Sequence, residues 1–246
     1  MPDLDGKIAL VIGGTRGIGA AISQRMVADG ASLGMIYRDR AAEAGQFARE
    51  LGSEGASIVC VQADVADVEA LEAAIDTVVA GLGPVDILVN VAGLAITGTL
   101  DALPDDAFDQ VFAVNVRAPF VAARKVVARM ADGGRIITIG SIVADHCPGE
   151  GRTLYAASKS ALGGLTRGLA RDLGPRRITV NLVQPGPIDT ERNPADGPAA
   201  EDNRAPLAIR RHGTAGEVAA LVAFLASPAA GFITGATYDI DGGWRA

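Results

Sequence analysis

Lys7-Ile8-Ala9-Leu10-Val11-Ile12-Gly13-Gly14-Thr15-Arg16-Gly17-Ile18-Gly19 decides the fold. Its first half is a short apolar run without alternation, the mark of a strand buried on both faces. The glycines follow at once, and Ala20 to Asp29 has helical composition closed by Gly30. Strand, glycine loop and helix together make a phosphate-binding entry. The glycines admit backbone close to a pyrophosphate, and the helix N-terminus presents free N–H groups to it. On that reading Gly13, Thr15, Arg16, Gly17 and Ile18 are cofactor contacts. The competing reading is a tight strand-to-helix turn that holds no ligand.

Working outward, Ser32 to Tyr37 is a second strand and Arg38 comes next. A carboxylate at this strand end suits the ribose 2′-hydroxyl of NAD, and positive charge suits the 2′-phosphate of NADP. Tyr37 and Arg38, with Arg16 converging from the glycine loop, point to NADP(H), since two guanidiniums match a dianionic phosphate. Asp39 is the counter-signal, a displaced ribose ligand. Surface solubility is the bland account of the two arginines.

The alternation continues. A helix over 40–52 leads to a third strand over 57–62, which ends in Ala63-Asp64-Val65. Asp64 either meets an adenine amino group or caps the helix over 68–82. The fourth strand, 85–90, ends in the small residues Val91-Ala92-Gly93. Helical composition covers 105–130 and contains Asn115, either a structural residue or one that bends the helix. Gly134 to Ile139 is the fifth strand, with Gly140-Ser141 at its carboxyl end, where open α/β sheets bind ligands. A loop over 142–153 and a helix over 153–173 follow. The sixth strand, 178–184, runs into Pro185-Gly186-Pro187-Ile188-Asp189-Thr190. From 187 to 214 the chain reads as an irregular, flexible lid. A helix over 217–225 and a strand over 237–241 close the pattern. The expectation is α/β: a single doubly wound, Rossmann-type domain over residues 1–246, with a mostly parallel seven-stranded sheet and helices on both faces.

Tyr155-Ala156-Ala157-Ser158-Lys159 lies in the helix over 153–173, so Tyr155 and Lys159 share a face one turn apart. A phenol titrates at roughly 10, and a neighbouring ammonium is expected to lower it enough for acid–base work. Taken alone, the pair is weak evidence, and its ordinary reading is a solvated helix face.

Composition excludes several classes. Hydrophobic residues make up 49% and aromatics 4%, so the core is built from Ala, Val, Ile and Leu. A net charge of −7 and no basic stripe argue against nucleic acid. Cys60 and Cys147 have no metal-ligand spacing, and no metal is expected. The N-terminus lacks the pattern of a leader, no apolar run is long enough for a membrane, and a reduced cytoplasmic setting fits the cysteine usage.

Taken together, these residues resemble the short-chain dehydrogenase/reductase family over nearly the whole chain. The matches are Gly13-x-x-x-Gly17-x-Gly19, Asp64, Asn90-x-Ala92-Gly93, Asn115, Ser141, Tyr155-x-x-x-Lys159 and Pro185-Gly186. The resemblance implies that Tyr155 donates the proton to a carbonyl oxygen held by Ser141. It implies that Lys159 lowers the phenol's pKa and binds the nicotinamide ribose, and that Asn115 anchors a water leading to Lys159. Asn90, Ala92, Gly93, Pro185, Gly186, Ile188 and Thr190 are then cofactor contacts. Leu94, Ile96, Val143, His146 and Pro187 line the substrate pocket, with Asp145 and Cys147 nearby.

The implied reaction is NADPH-dependent reduction of a ketone, aldehyde or 3-oxoacyl group to an alcohol by a homo-oligomer, tetramer or dimer. Gly163-Gly164 suits close packing of that helix across an interface. Ile12 and Val91 depart from the family's usual Thr and Asn. The segment 184–198, with Arg211-His212-Gly213, resembles a bacterial subgroup linked to biofilm dispersal. That likeness carries the alternative of a regulatory protein binding a cyclic dinucleotide. His212 is expected to be structural or exposed.

Overall fold

The computed structural model describes residues 4–53, 55–147 and 149–246. Met1 to Asp3, read above for a leader, and Pro148 of the pocket loop lie outside them. The elements run β1 (Ile8–Ile12), α1 (Gly17–Ala28), β2 (Ser32–Tyr37), α2 (Ala41–Gly52), β3 (Ile58–Gln62), α3 (Val68–Leu82) and β4 (Ile87–Asn90). Then come α4 (Ala107–Phe112), α5 (Ala118–Val127), β5 (Arg135–Ile139), α6 (Thr153–Leu173), β6 (Thr179–Pro185) and β7 (Ile188–Asp189). The chain closes with α7 (Ala200–Arg204), β8 (Gly213–Thr214), α8 (Ala215–Ala226) and β9 (Thr237–Ile240).

Seven strands form one sheet in the order β3-β2-β1-β4-β5-β6-β9, and every pairing is parallel. Successive residues of β1 feed opposite faces. Ala9 and Val11 join the core against Ile22, Met26, Val218 and Val222 of α1 and α8. Leu10 and Ile12 join the core against Leu71, Ile75, Val121 and Val126 of α3 and α5. Burial on both faces is why these strands read as unbroken apolar runs. The chain winds outward from β1 to β3, then returns to lay β4 on the other side of β1. The crevice at the carboxyl ends of β1 and β4 is the switch point where such sheets hold ligands.

Two expectations are corrected. The helix read over 105–130 is broken: between α4 and α5 the segment Ala113–Arg117 is a π-helical turn. The stretch 187–214 is mostly turns, but it also holds β7, α7 and β8. β7 and β8 pair in parallel, with Ile188 opposite Gly213. Asp189 accepts from the Ala195 N–H at 2.9 Å, Asn203 donates to Asn193 at 3.0 Å, and Arg204 donates to the Ala195 carbonyl at 2.8 Å. Asn, Asp and Arg there form local hydrogen bonds that stand in for a core. His212 is 5% exposed, and neither ring nitrogen has a hydrogen-bond partner in the structure.

Candidate active site

The Ile12 carbonyl at the end of β1 accepts from the Val91 and Ala92 N–H groups, both at 2.9 Å. The loop after β4 is therefore pulled against the glycine loop. A Cβ on Gly13, whose φ is +84°, would lie 2.8 Å from the Ala92 nitrogen, and one on Gly19 would lie 1.9 Å from the Gly13 carbonyl oxygen. Only glycine permits this approach. α1 begins with no side-chain cap, whereas α3 is capped by Asp67 and α8 by Thr214. Its first N–H groups remain free for an anion.

A cavity of about 570 Å³ opens at this place. Gly13, Thr15, Arg16, Gly17, Ile18, Tyr37, Arg38, Ala63, Asp64, Val65, Ala92, Gly93, Leu94 and Thr190 line it, as the sequence reading expects. At its outer end Arg16 donates to one oxygen of Asp39 at 2.9 Å, and Arg38 donates to the other at 3.1 Å. The Arg38 hydrogen bond, with the charges of Arg16, Arg38 and Arg40, holds the Asp39 carboxyl below its ordinary value. Asp39 is thus a bridge between two guanidiniums, not a free ribose ligand. Asp64 does not cap α3. It accepts from the Ala66 N–H at 2.9 Å, while Asp67 accepts from Ala70 at 3.1 Å as the cap.

Some expected contacts lie off this wall. Asn90 is buried and donates to the Thr138 hydroxyl at 3.3 Å. The Gly186 N–H donates to the Ile240 carbonyl, and Ile188 is buried in the pairing of β7 with β8. Pro185 is the last residue of β6. Ile96 and Pro187 are half-buried, Val143 is buried and His146 is exposed.

The inner end is built on β5 and α6. Asn115 sits in the π-helical turn and is 1% exposed. It accepts from the Leu94 N–H at 2.7 Å and donates to the Leu94 carbonyl at 2.8 Å and the Ser158 hydroxyl at 2.9 Å. It thereby ties the loop after β4 to α6. Ser141 follows β5, and its hydroxyl accepts from the Val143 N–H at 3.3 Å and hydrogen-bonds the Tyr155 phenol. Lys159 is 3% exposed, and its Nζ donates to the Ile139 carbonyl at 3.0 Å. The same Nζ stands 5.8 Å from the centre of the Tyr155 ring.

The charges at this end correct the simple picture. Burial pushes the Tyr155 phenol above its ordinary value; the Ser141 hydrogen bond and the charges of Arg192 and Arg152 pull the other way. The expected lowering by Lys159 is not what sets the phenol. Burial, with repulsion from Arg192, instead brings Lys159 itself down to about 8. Desolvation outweighs charge here because both groups are out of water.

Sequence reasoning missed Arg192, which donates to the Gly93 carbonyl at 3.2 Å from across the cleft. It also missed Arg40, which grips Glu191 with two hydrogen bonds of 3.2 and 2.8 Å. Arg40 carries a left-handed φ of +60°, uncommon outside glycine. Nothing in the sequence separates these arginines from ordinary surface charge.

A family model described as enoyl-(acyl carrier protein) reductase matches residues 13–245. A cyclic-di-GMP-binding biofilm dispersal mediator protein of Escherichia coli (strain K12) is 47% identical over 241 residues, covering 98% of each chain. The 3-oxoacyl-[acyl-carrier-protein] reductase FabG of Salmonella typhimurium is 38% identical over 246 residues, covering 97% of each. Among solved structures, a short chain dehydrogenase from Burkholderia cenocepacia J2315 in complex with NADP is 48% identical, covers 99% of each chain and superposes with a TM-score of 0.97.

Proposed function

Since the chain belongs to the short-chain dehydrogenase/reductase family, we propose that it is an NADPH-dependent carbonyl reductase with Tyr155 as its general acid. The observation that carries the reading is the meeting of Ser141, Tyr155 and Lys159 behind Gly93, at the inner end of a cavity whose outer end holds Arg16 and Arg38. The residues present fit the cofactor. The uncapped start of α1 and the cradle that a Cβ would fill suit its pyrophosphate, and the two guanidiniums on Asp39 suit its 2′-phosphate.

When bound, NADPH supplies the hydride that reduces the carbonyl carbon. The chain's residues handle the oxygen. Ser141 and Tyr155, already hydrogen-bonded, offer two hydroxyls to one carbonyl oxygen. The Tyr155 O–H proton passes to that oxygen as the alcohol forms. Its raised pKa keeps the phenol protonated near neutrality, the form that reduction needs. Lys159 places a cation beside the phenolate left behind. Asn115 fixes Leu94, and with it the cavity wall, against α6.

Apolar side chains exposed at two places support assembly with copies of this chain. Phe108 and Phe120 lie on α4 and α5, and Phe224 and Phe232 lie on and after α8. A second reading, a regulatory protein binding a cyclic dinucleotide, is favoured by one observation, the close likeness to the dispersal mediator over nearly its full length. Steady-state reduction of a ketone panel tests the first reading. Tyr155→Phe should lower kcat about a hundredfold or more, and Arg38→Asp should shift preference from NADPH toward NADH by about tenfold. An unaltered kcat in Tyr155→Phe removes the mechanism. Heat of cyclic-di-GMP binding without any carbonyl turnover would favour the second reading.

A further inference from the structure

On the reductase reading just given, we infer that the carbonyl substrate carries an anionic group, and that Arg192 of the segment after β7, with Arg152 before α6, recognises it. The argument starts from the arginines around the cavity. Arg16 and Arg38 are paired with Asp39, and Arg40 with Glu191 and Glu43. Arg192 lines the same cavity, is exposed, and makes no ion pair among the described residues. One of its five N–H donors meets the Gly93 carbonyl at 3.2 Å, and a neutral carbonyl does not cancel a charge. Gly93 is the wall behind which Lys159 lies, with Nζ 3.4 Å from where a Gly93 Cβ would stand. Arg192 is therefore held at the reacting end of the cavity, not at the 2′-phosphate end.

Arg152 stands three residues before Tyr155 in the chain, and its charge bears on the phenol. It too has no ion pair among the described residues. The side-chain charges bearing on Tyr155 are Arg192 and Arg152, and the one bearing on Lys159 is Arg192. No carboxylate acts on either group among the described residues. Glu191, beside Arg192 in the chain, is paired with Arg40, and Asp145, after Ser141, with Arg245.

Two unpaired guanidiniums beside a buried ammonium form a field of one sign around the oxygen that is to be protonated. Such a field rejects a cation, gains little from a neutral ketone, and pairs with a carboxylate in bidentate fashion. A 3-oxo acid or similar short keto acid meets the requirement. Its carbonyl lies at Tyr155 while its carboxylate reaches Arg192. Arg192 is on this account a specificity residue and takes no part in the proton transfer.

The test compares acetoacetate with methyl acetoacetate at saturating NADPH. The wild type should prefer the acid in kcat/KM by about tenfold or more. Arg192→Met should reduce that ratio about tenfold, chiefly through KM for the acid, and Arg152→Met should act in the same direction. Arg192→Lys should keep part of the preference. An unaltered acid-to-ester ratio in Arg192→Met overturns the inference. So does an equal loss for both substrates with a raised KM for NADPH, which would assign the charge to the cofactor. A parallel calorimetric titration of 3-hydroxybutyrate into the NADPH-loaded protein reads the anion site without turnover. Binding that weakens in Arg192→Met supports the inference, and binding that is unaffected overturns it. Failure of the wild type to reduce either compound would instead count against the reductase reading.

Discussion

Lys159 is the residue at which burial and charge can be told apart by titration. Its ordinary value is 10.5, and burial with Arg192 brings it to about 8. The sign is therefore fixed: the ammonium is charged below about 8 and neutral above it. On the proposed mechanism reduction uses the charged form, which stabilises the phenolate that Tyr155 becomes. The kcat for reduction should hold level up to pH 7 and fall as pH rises through about 8. Arg192→Met removes a repelling charge, so the inflection should move to higher pH. A pH profile of both proteins at saturating substrate checks this; an inflection that stays in place would detach it from Lys159. The identities of Ser141, Tyr155 and Lys159 were readable because their chemistry is uncommon and their spacing fixes them to one helix face or strand end. The direction of the Tyr155 shift was not readable, because desolvation depends on what covers the ring. Cys60 makes the same point: its apolar run and its burial push the thiol up to about 11, as expected of a small core residue.

At the level of elements, caps and breaks decide which helices serve the site. α8 starts with a capping box: Thr214 accepts from the Glu217 N–H at 3.2 Å, and Glu217 accepts from the Thr214 N–H at 2.7 Å. Arg211 adds two hydrogen bonds to the Glu217 carboxylate, which is held at about 2 against an ordinary 4.5. The carboxylate's contribution to stability is present above about 4.5 and is lost as pH falls from there through about 2. Glu217 is 42% exposed, so solvent screening discounts the ion pair. What Gln loses at the cap is the charge on the acceptor of the Thr214 N–H, about 1 kcal/mol. Glu217→Gln should lower Tm by about 2–4 °C at pH 7, with the gap from wild type narrowing as pH falls below about 4.5 and closing only near pH 2. Thermal unfolding at the two pH values checks it; a constant gap would remove the carboxylate from the account. The start of α8 was misplaced by two residues in the sequence because Gly216, a poor helix former, interrupts the helical composition. A bend at Asn115 was one of two readings of the sequence, but the π-helical form of the turn was not legible. Its cause is a pair of hydrogen bonds to Leu94, a partner 21 residues away.

For the whole molecule, what stays exposed is as telling as what is buried. The Phe108 and Phe112 rings stack at 4.3 Å, yet Phe108 is 53% exposed and Phe120 45%. On α6, a Cβ at Gly164 would meet nothing within 4 Å. Phe232, after α8, is fully exposed. Exposed aromatic side chains of this kind are candidate contacts for the proposed assembly of copies of this chain. Phe120→Glu and Phe232→Glu should each reduce the assembly to a smaller species in sedimentation velocity, with native circular dichroism. If both variants sediment as the wild type does, these faces are not the contacts.

The sequence by itself determined the order of the main strands and helices, the buried inner strands of the sheet, the glycine loop at the end of β1 and the residues that meet at the inner end of the cavity. Each of these is written locally, in a period of apolar residues, a run of glycines or a spacing of four. Only the tertiary structure decided that Asp39 bridges Arg16 and Arg38, that Asp67 and not Asp64 caps α3, and that Arg192 reaches Gly93 from 99 residues away. Those outcomes depend on which charges the fold brings within a few ångströms and which it strips of water, and neither quantity is encoded in residues adjacent along the chain.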